Sequence, residues 1–252
     1  MKQVKDSQKS EAKIEKTKIY NLIIIDKSGS MDIIKDEAIS GYNETLGGIK
    51  SAQLKYADSQ EHFVSLVLFC ACETKVVYDR VPVKDAENLT KKTYIPCCCT
   101  PLYDAVGTSV QKLKECLKDA KNYTVMVTII TDGMENASKE WSGMALAKLI
   151  DEMKDAGWLF SFIGANMDAE KFAATISITN TIQWEQTHDG TNRMFKKDLA
   201  ARERRYKDED ALYCKSICSD NNLMPEEDIE SNMIKLRKKL NKKYYDDDKS
   251  KK

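Results

Sequence analysis

No apolar stretch in this 252-residue chain approaches the ~18 consecutive residues that a membrane-spanning helix needs. Charge of one sign is missing too. The 40 basic residues offset the 40 acidic ones, so there is no global positive field of the kind a dedicated nucleic-acid binder uses. Histidine is scarce: His62 and His188 are the two present, and neither belongs to a His-Glu-x-x-His or a Ser-His-Asp arrangement. There is no glycine-rich phosphate loop, no Cys-x-x-Cys pair and no internal repeat. These absences argue against membrane, nucleic-acid, triad-hydrolase and nucleotide-loop classes. The stretch Met1 to Lys18 holds six lysines and no apolar core of a signal peptide; residues 1–17 are expected to be a disordered leader. Eight cysteines without a secretion signal fit a reducing cytoplasm better than a disulfide framework.

What is present is an alternation of strands and helices. Leu22 to Ile25 is a β-branched, apolar run that stops abruptly at Asp26, as a strand buried on both faces does. Strands are expected at Ile19–Ile25, His62–Phe69, Thr74–Val83, Tyr123–Ile130, Trp158–Ile163 and Asn180–Trp184. Apolar spacing predicts helices from Asp32 to about Gln53, from Leu102 to Leu117, from Ser138 to Gly157, from Asp168 to Ser177 and from Asp189 to about Tyr206. Gly47 and Gly48 weaken the first of these. The order implies an α/β fold: a Rossmann-like, doubly wound, mostly parallel six-stranded sheet with helices on both faces. The second and third strands are adjacent in sequence and imply one antiparallel pairing. Asp79, Arg80 and Pro82 place the third strand at an edge.

Chemistry concentrates where strands end. Asp26-Lys27-Ser28-Gly29-Ser30 closes the first strand, Thr100 lies in Thr-Pro-Leu-Tyr-Asp before a helix, and Asp132 lies in Thr-Asp-Gly after the fourth strand. Ligands in open α/β sheets collect at the carboxyl ends of strands, and oxygen side chains suit a hard divalent cation. Taken alone, Asp26-x-Ser28-x-Ser30 also reads as a turn with Ser30 capping a helix.

In this order the residues resemble the von Willebrand factor A (VWA) domain family, over about residues 18–206. The resemblance implies a metal-ion-dependent adhesion site (MIDAS). Ser28, Ser30 and Thr100 would be direct ligands, with Asp26 and Asp132 bound directly or through water. The expected ion is Mg²⁺, with Mn²⁺ or Ca²⁺ as alternatives. The expected function is binding of a protein partner whose Asp or Glu completes the coordination sphere, with no catalytic residues. The rival readings are a scaffold with a structural metal and a metal-dependent phosphoester hydrolase.

Other features read as structural. Cys97, Cys98 and Cys99 precede Thr100. Three adjacent thiols do not converge readily on one tetrahedral zinc, although Cys70 and Cys72 could meet them in space; incidental thiols are the leading reading, redox sensing or metal capture the second. Asp104 and Asp168 read as early-helix charges, with support of the site as the second reading for Asp104, Trp184 as a rim packing residue, and Arg202, Arg204, Arg205 and Lys207 as a solvated face. Residues 207–252 read as a charged extension with a helix over 225–241. Its stripe of Ile229, Met233, Leu236 and Leu240 would pack on the domain or mediate self-association.

Overall fold

The structure is a computed structural model that describes residues 15–165, 168–218 and 226–246. The expected leader as far as residue 14, Pro225 and the chain after residue 246 lie outside the described residues. The strands are β1 (Thr17–Asp26), β2 (Gln60–Cys70), β3 (Glu73–Pro82), β4 (Tyr123–Thr131), β5 (Leu159–Ala165) and β6 (Asn180–Trp184). They form one sheet in the order β3-β2-β1-β4-β5-β6. All neighbours pair in parallel except β2 with β3, which is antiparallel at the edge. The doubly wound sheet expected from the alternation is therefore the one observed.

The helices are α1 (Lys35–Lys55), α2 (Leu102–Cys116), α3 (Gly143–Asp155), α4 (Ala169–Thr175), α5 (His188–Cys218) and α6 (Glu226–Asn241). Residues alternate along each central strand between two apolar layers. Leu22, Ile24, Val125, Val127, Ile129, Phe160 and Phe162 pack with α2, α3 and α4. Ile19, Ile23, Ile25, Met126, Ile130 and Ile163 face α1 and α5. Strands covered on both faces have no solvent-facing side, which is why they read as mostly apolar runs without polar alternation.

Several element boundaries differ from expectation, each for a local reason. A 3-10 turn, Gly29–Ile34, precedes α1, anchored by buried Met31 and Ile34 at a spacing of three. Ser138 does not begin a helix; α3 starts after Ser142, whose side chain accepts from the Ala145 N–H. Gly157 closes α3 as expected, with φ +89° and the Trp158 N–H reaching back to the Met153 carbonyl at 3.0 Å. Two of the three glycines of α1 serve close packing, while Gly47 faces open space. A Cβ at Gly41 would meet the Phe195 ring at 2.0 Å, and one at Gly48 would meet Leu199 at 2.3 Å, so α5 lies directly on α1.

The arginine cluster is a correction. Arg202 and Arg205 are buried rather than solvated. Asn21, Thr128 and Ser161 interrupt the apolar strands on the α5 side of the sheet. Arg202 lies over them, donating to Thr128 Oγ1 at 2.6 Å and to Asn21 Oδ1 at 3.4 Å, and pairing with Asp198 at 2.7 Å. Tyr206 donates to the same Asn21 oxygen at 2.6 Å, and Tyr245 to Asp198 at 2.7 Å. Arg205 and Arg237 both pair with Glu209, at 2.5 and 2.9 Å. Trp184 is also more buried than a rim residue, and it joins the core.

Helix α5 runs without a break past Tyr206 to Cys218. Helix α6 meets the rest through polar groups and through Ile234, which lies beside Gly157: Arg237 donates to the Tyr123 carbonyl at 2.8 Å and Asn241 to the Gly157 carbonyl at 3.1 Å. Of its apolar stripe, Leu236 is exposed and Ile229, Met233 and Leu240 are half-buried.

Burial opposes the charge on Glu209, but Arg205 and Arg237 outweigh it and bring its carboxyl down to about 2. Its contribution to stability is complete above the ordinary glutamate range and is lost as pH falls through about 2. Glu209→Ala leaves two buried guanidiniums without a counter-charge. It should cost about 3–5 kcal/mol, read as a lower urea midpoint at neutral pH.

Candidate metal centre

Because β1 and β4 are parallel neighbours with Ile25 opposite Ile130, their last residues reach the same edge of the sheet. That edge lies where the strand order reverses, between β1 and β4. Asp26 ends β1, and Asp132 follows β4. Thr131, between them, donates from Oγ1 to Asp26 Oδ2 at 2.7 Å. The other Asp26 oxygen accepts from the Ser28 N–H at 2.6 Å, which turns the chain back over the strand end. The Asp26 carbonyl accepts from the buried Tyr94 hydroxyl at 2.6 Å.

The hydroxyls then follow in a chain. Ser28 Oγ and Ser30 Oγ are 3.2 Å apart, and Ser30 Oγ donates to Asp132 Oδ1 at 2.8 Å. Thr100 is buried beside them: a Cβ on Gly133 would lie 3.2 Å from Thr100 Oγ1. Position 133 therefore needs a residue without a side chain if the hydroxyl is to stay where it is. Asp26, Ser28, Thr100 and Asp132 are buried and Ser30 is exposed, so the cluster opens to solvent on one side. The structure thus brings all five sequence-derived residues to one strand edge.

Two carboxylates share this edge, and among the described residues no cationic side chain pairs with them. Burial pushes the Asp26 carboxyl up to about 6, against hydrogen bonds from Thr131 and Ser28, with the Asp132 charge adding to the rise. Burial also raises Asp132. Lys27, adjacent in sequence, points away and pairs with Glu73 at 2.5 Å. Hydroxyls, two buried acids and no counter-charge make a donor set that fits a hard divalent cation.

Apart from Asp104, the loops are held by residues that the sequence did not single out. Glu135 accepts from the backbone N–H groups of Tyr103, Ala137 and Ser138 at 2.7–2.8 Å. Asn136 exchanges bonds with the Thr100 backbone, accepting from its N–H at 2.8 Å and donating to its carbonyl at 3.2 Å. Asp104 does more than favour a helix start: its carboxylate accepts from the N–H groups of Lys139, Glu140 and Trp141 at 2.8–2.9 Å. Gln186, after β6, donates to Asp132 Oδ2 at 2.5 Å and to the Ser30 carbonyl at 2.9 Å. The run Asp132 to Ser138, rich in short polar residues, was the signal available for the first two. His62 is an ordinary buried residue bonded to Gln60 at 2.9 Å, and His188 meets Glu37 on the surface.

No protein-family model and no curated protein matches the chain by sequence. Solved structures do match by shape. The pilus adhesin SpaC from Lactobacillus rhamnosus GG superposes with a TM-score of 0.53 at 14% identity, over 77% of this chain and 31% of the adhesin. A von Willebrand factor type A protein from Catenulispora acidiphila matches with a TM-score of 0.48 at 15% identity, over 73% of this chain and 42% of its own. At this identity the likeness to the adhesin is one of fold, a Rossmann-like α/β sheet. The manganese-loaded TRAP protein of Plasmodium vivax matches with a TM-score of 0.38 at 18% identity, over 72% of this chain and 62% of its own. The chain thus spans less than two thirds of the length of each of these proteins.

An acid whose folded pKa is raised makes the folded state lose stability as pH rises. In chelator, stability should therefore fall as pH rises from about 4 through about 6, and Asp26→Asn should flatten that decline; paired urea titrations of wild type and variant at pH 5 and 7.5 check it. Glu135→Ala frees three backbone N–H groups and should cost about 2–3 kcal/mol, seen as a lower melting temperature.

Proposed function

We propose that the chain is a metal-dependent protein-recognition module. Asp26, Ser28, Ser30, Thr100 and Asp132 hold a divalent cation, and Mg²⁺ is the ion the donor set favours, because it takes about six oxygens and retains waters. Two carboxylates nearly neutralise the ion, so the position left open can accept an Asp or Glu side chain from another protein. When bound, the ion supplies an electrophilic anchor for that carboxylate. Ser30, exposed at the mouth, marks the side from which the partner approaches.

The observation that carries this reading lies around the cluster. The three loops that form it each present a large exposed apolar residue: Ile33 after Ser30, Ile95 before Thr100 and Met134 after Asp132. Apolar groups around a polar centre suit a protein surface, where they supply contact area and exclude water. A phosphoester substrate would instead call for cationic clamps. The basic neighbour Lys27 is already paired, and the groups acting on Asp26 and Asp132 are hydroxyls, amides and carboxylate. Binding without catalysis is therefore the reading we adopt, in a reducing compartment such as the cytoplasm, where free thiols persist.

Mg²⁺ at about 100 times its dissociation constant should stabilise the wild-type chain by about 2.7 kcal/mol. That corresponds to a rise in melting temperature of roughly 5–10 °C for a chain of this size. Asp132→Ala should show no such rise, and retention of carboxylate-bearing proteins on the immobilised chain should disappear in chelator. An Asp132→Ala chain that is stabilised by Mg²⁺ as well as wild type would overturn the proposal.

A further inference from the structure

A second group of metal-ligating side chains lies on the far side of the Thr100 loop and takes no part in the oxygen cluster. Cys70 ends β2, and Cys72 lies in the tight turn to β3. Cys97 and Cys98 lie in the loop that passes over both. The ligand atoms of Cys70, Cys72 and Cys97 all fall within 4.8 Å of one another, and Cys70 Sγ is 3.4 Å from Cys97 Sγ. Sulfurs around a tetrahedral zinc, at about 2.3 Å from the metal, lie about 3.8 Å apart, between those two limits. Cys98 lies outside that 4.8 Å group, but it adjoins Cys97, its thiol interacts with those of Cys72 and Cys97, and its side chain is exposed, so a rotation would bring it in as the fourth donor.

Two further observations point the same way. Cys98 has φ +62°, a left-handed conformation that costs free energy for a residue with a Cβ and persists only where its surroundings enforce it. Three backbone hydrogen bonds do so. Cys97 N–H donates to the Lys27 carbonyl at 2.7 Å, Gly29 N–H to the Cys98 carbonyl at 3.0 Å, and Ala71 N–H to the Cys99 carbonyl at 2.9 Å. The Lys27 ammonium, although paired with Glu73, is near enough to Cys70 and Cys97 for their charges to interact.

We propose that Cys70, Cys72, Cys97 and Cys98 form a soft-metal site of the Zn²⁺ class, separate from the oxygen cluster. The four thiols lose their protons on binding, and no oxidant or reductant is involved. The sequence offered three adjacent thiols that do not converge readily on one ion, with Cys70 and Cys72 as possible partners in space. The fold supplies what was missing by bringing the β2–β3 turn under the loop, so that two thiols come from each segment. Because Cys98 is bonded through its backbone to Gly29 and lies two residues before Thr100, zinc here would pin the loop that carries the Thr100 hydroxyl.

The test is a Co²⁺ titration of the full, reduced chain in excess Mg²⁺. The expected result is a thiolate-to-cobalt charge-transfer band with intense tetrahedral ligand-field bands, both abolished by stoichiometric Zn²⁺. Cys72→Ser and Cys98→Ser alter exposed residues, so the fold should persist while Zn²⁺ binding weakens by about 100-fold or more; loss of an outer-shell partner alone costs 10–100-fold. Zn²⁺ should also protect Cys72 and Cys98 from alkylation while leaving exposed Cys116 and Cys214 reactive. Asp132→Ala should keep the cobalt spectrum, so that failure of the oxygen site and failure of the thiol site are told apart. The proposal is overturned by a titration with no charge-transfer band, by equal alkylation of Cys72 and Cys116 with and without Zn²⁺, or by a chain that only forms a Cys70–Cys97 disulfide and takes up no metal after reduction.

Discussion

The hydrogen bond from Thr131 to Asp26 joins two neighbouring parallel strands at their carboxyl ends. The rest of the site depends on it. Parallel pairing of β1 with β4 brings two chain segments, more than 100 residues apart in sequence, to one edge. The bond then fixes the register at the last residue, where a slip of one would turn Asp26 toward a helix layer. With Asp26 oriented, the Ser28 N–H closes on it, the chain turns, and Ser30 is delivered to Asp132. The sheet positions the carboxylates, and the loop hydroxyls follow from them.

A polar layer on the α5 side holds the sheet from the opposite direction. Buried ion pairs are costly to desolvate and seldom the most stabilising choice. Arg202 is fully buried yet bonded to β1, β4 and Asp198, and Glu209 holds α5 to α6 through Arg237. These pairs have definite geometry where apolar contacts could slide, so α5 has one register against the strands. Gly41 and Gly48 permit the approach that brings the guanidinium within reach.

The fold was legible because parallel strands covered on both faces leave apolar runs, and because Asp26, Ser28, Ser30, Thr100 and Asp132 fall directly after strands or before a helix. What escaped were contacts with no periodic trace. Glu135 and Asn136 act through backbone groups, Gln186 reaches the site from a strand two places away, and Ser142 rather than Ser138 caps α3. The arginines read as solvated because a run of charges on a helix usually is. The missed clue was on the other partner: Asn21, Thr128 and Ser161 each interrupt an apolar strand on the same face. Polar residues at such positions need donors or acceptors from what covers them, and α5 was the element available. The thiols show the same limit, since two segments of no recognisable spacing meet only once β2 and β3 are paired.

The layer over Asn21 also constrains how this sequence can change. Asn21, Thr128, Asp198, Arg202 and Tyr206 come from three elements and share hydrogen bonds. Losing one member strands the others in a dry interior, whereas exchanging all of them for apolar residues of matching volume need not. No sequence of single, individually tolerated steps leads easily from one state to the other. These five positions are therefore expected to be inherited together, and their joint presence would mark descendants of this chain more reliably than the Asp-x-Ser-x-Ser turn, which unrelated loops can acquire.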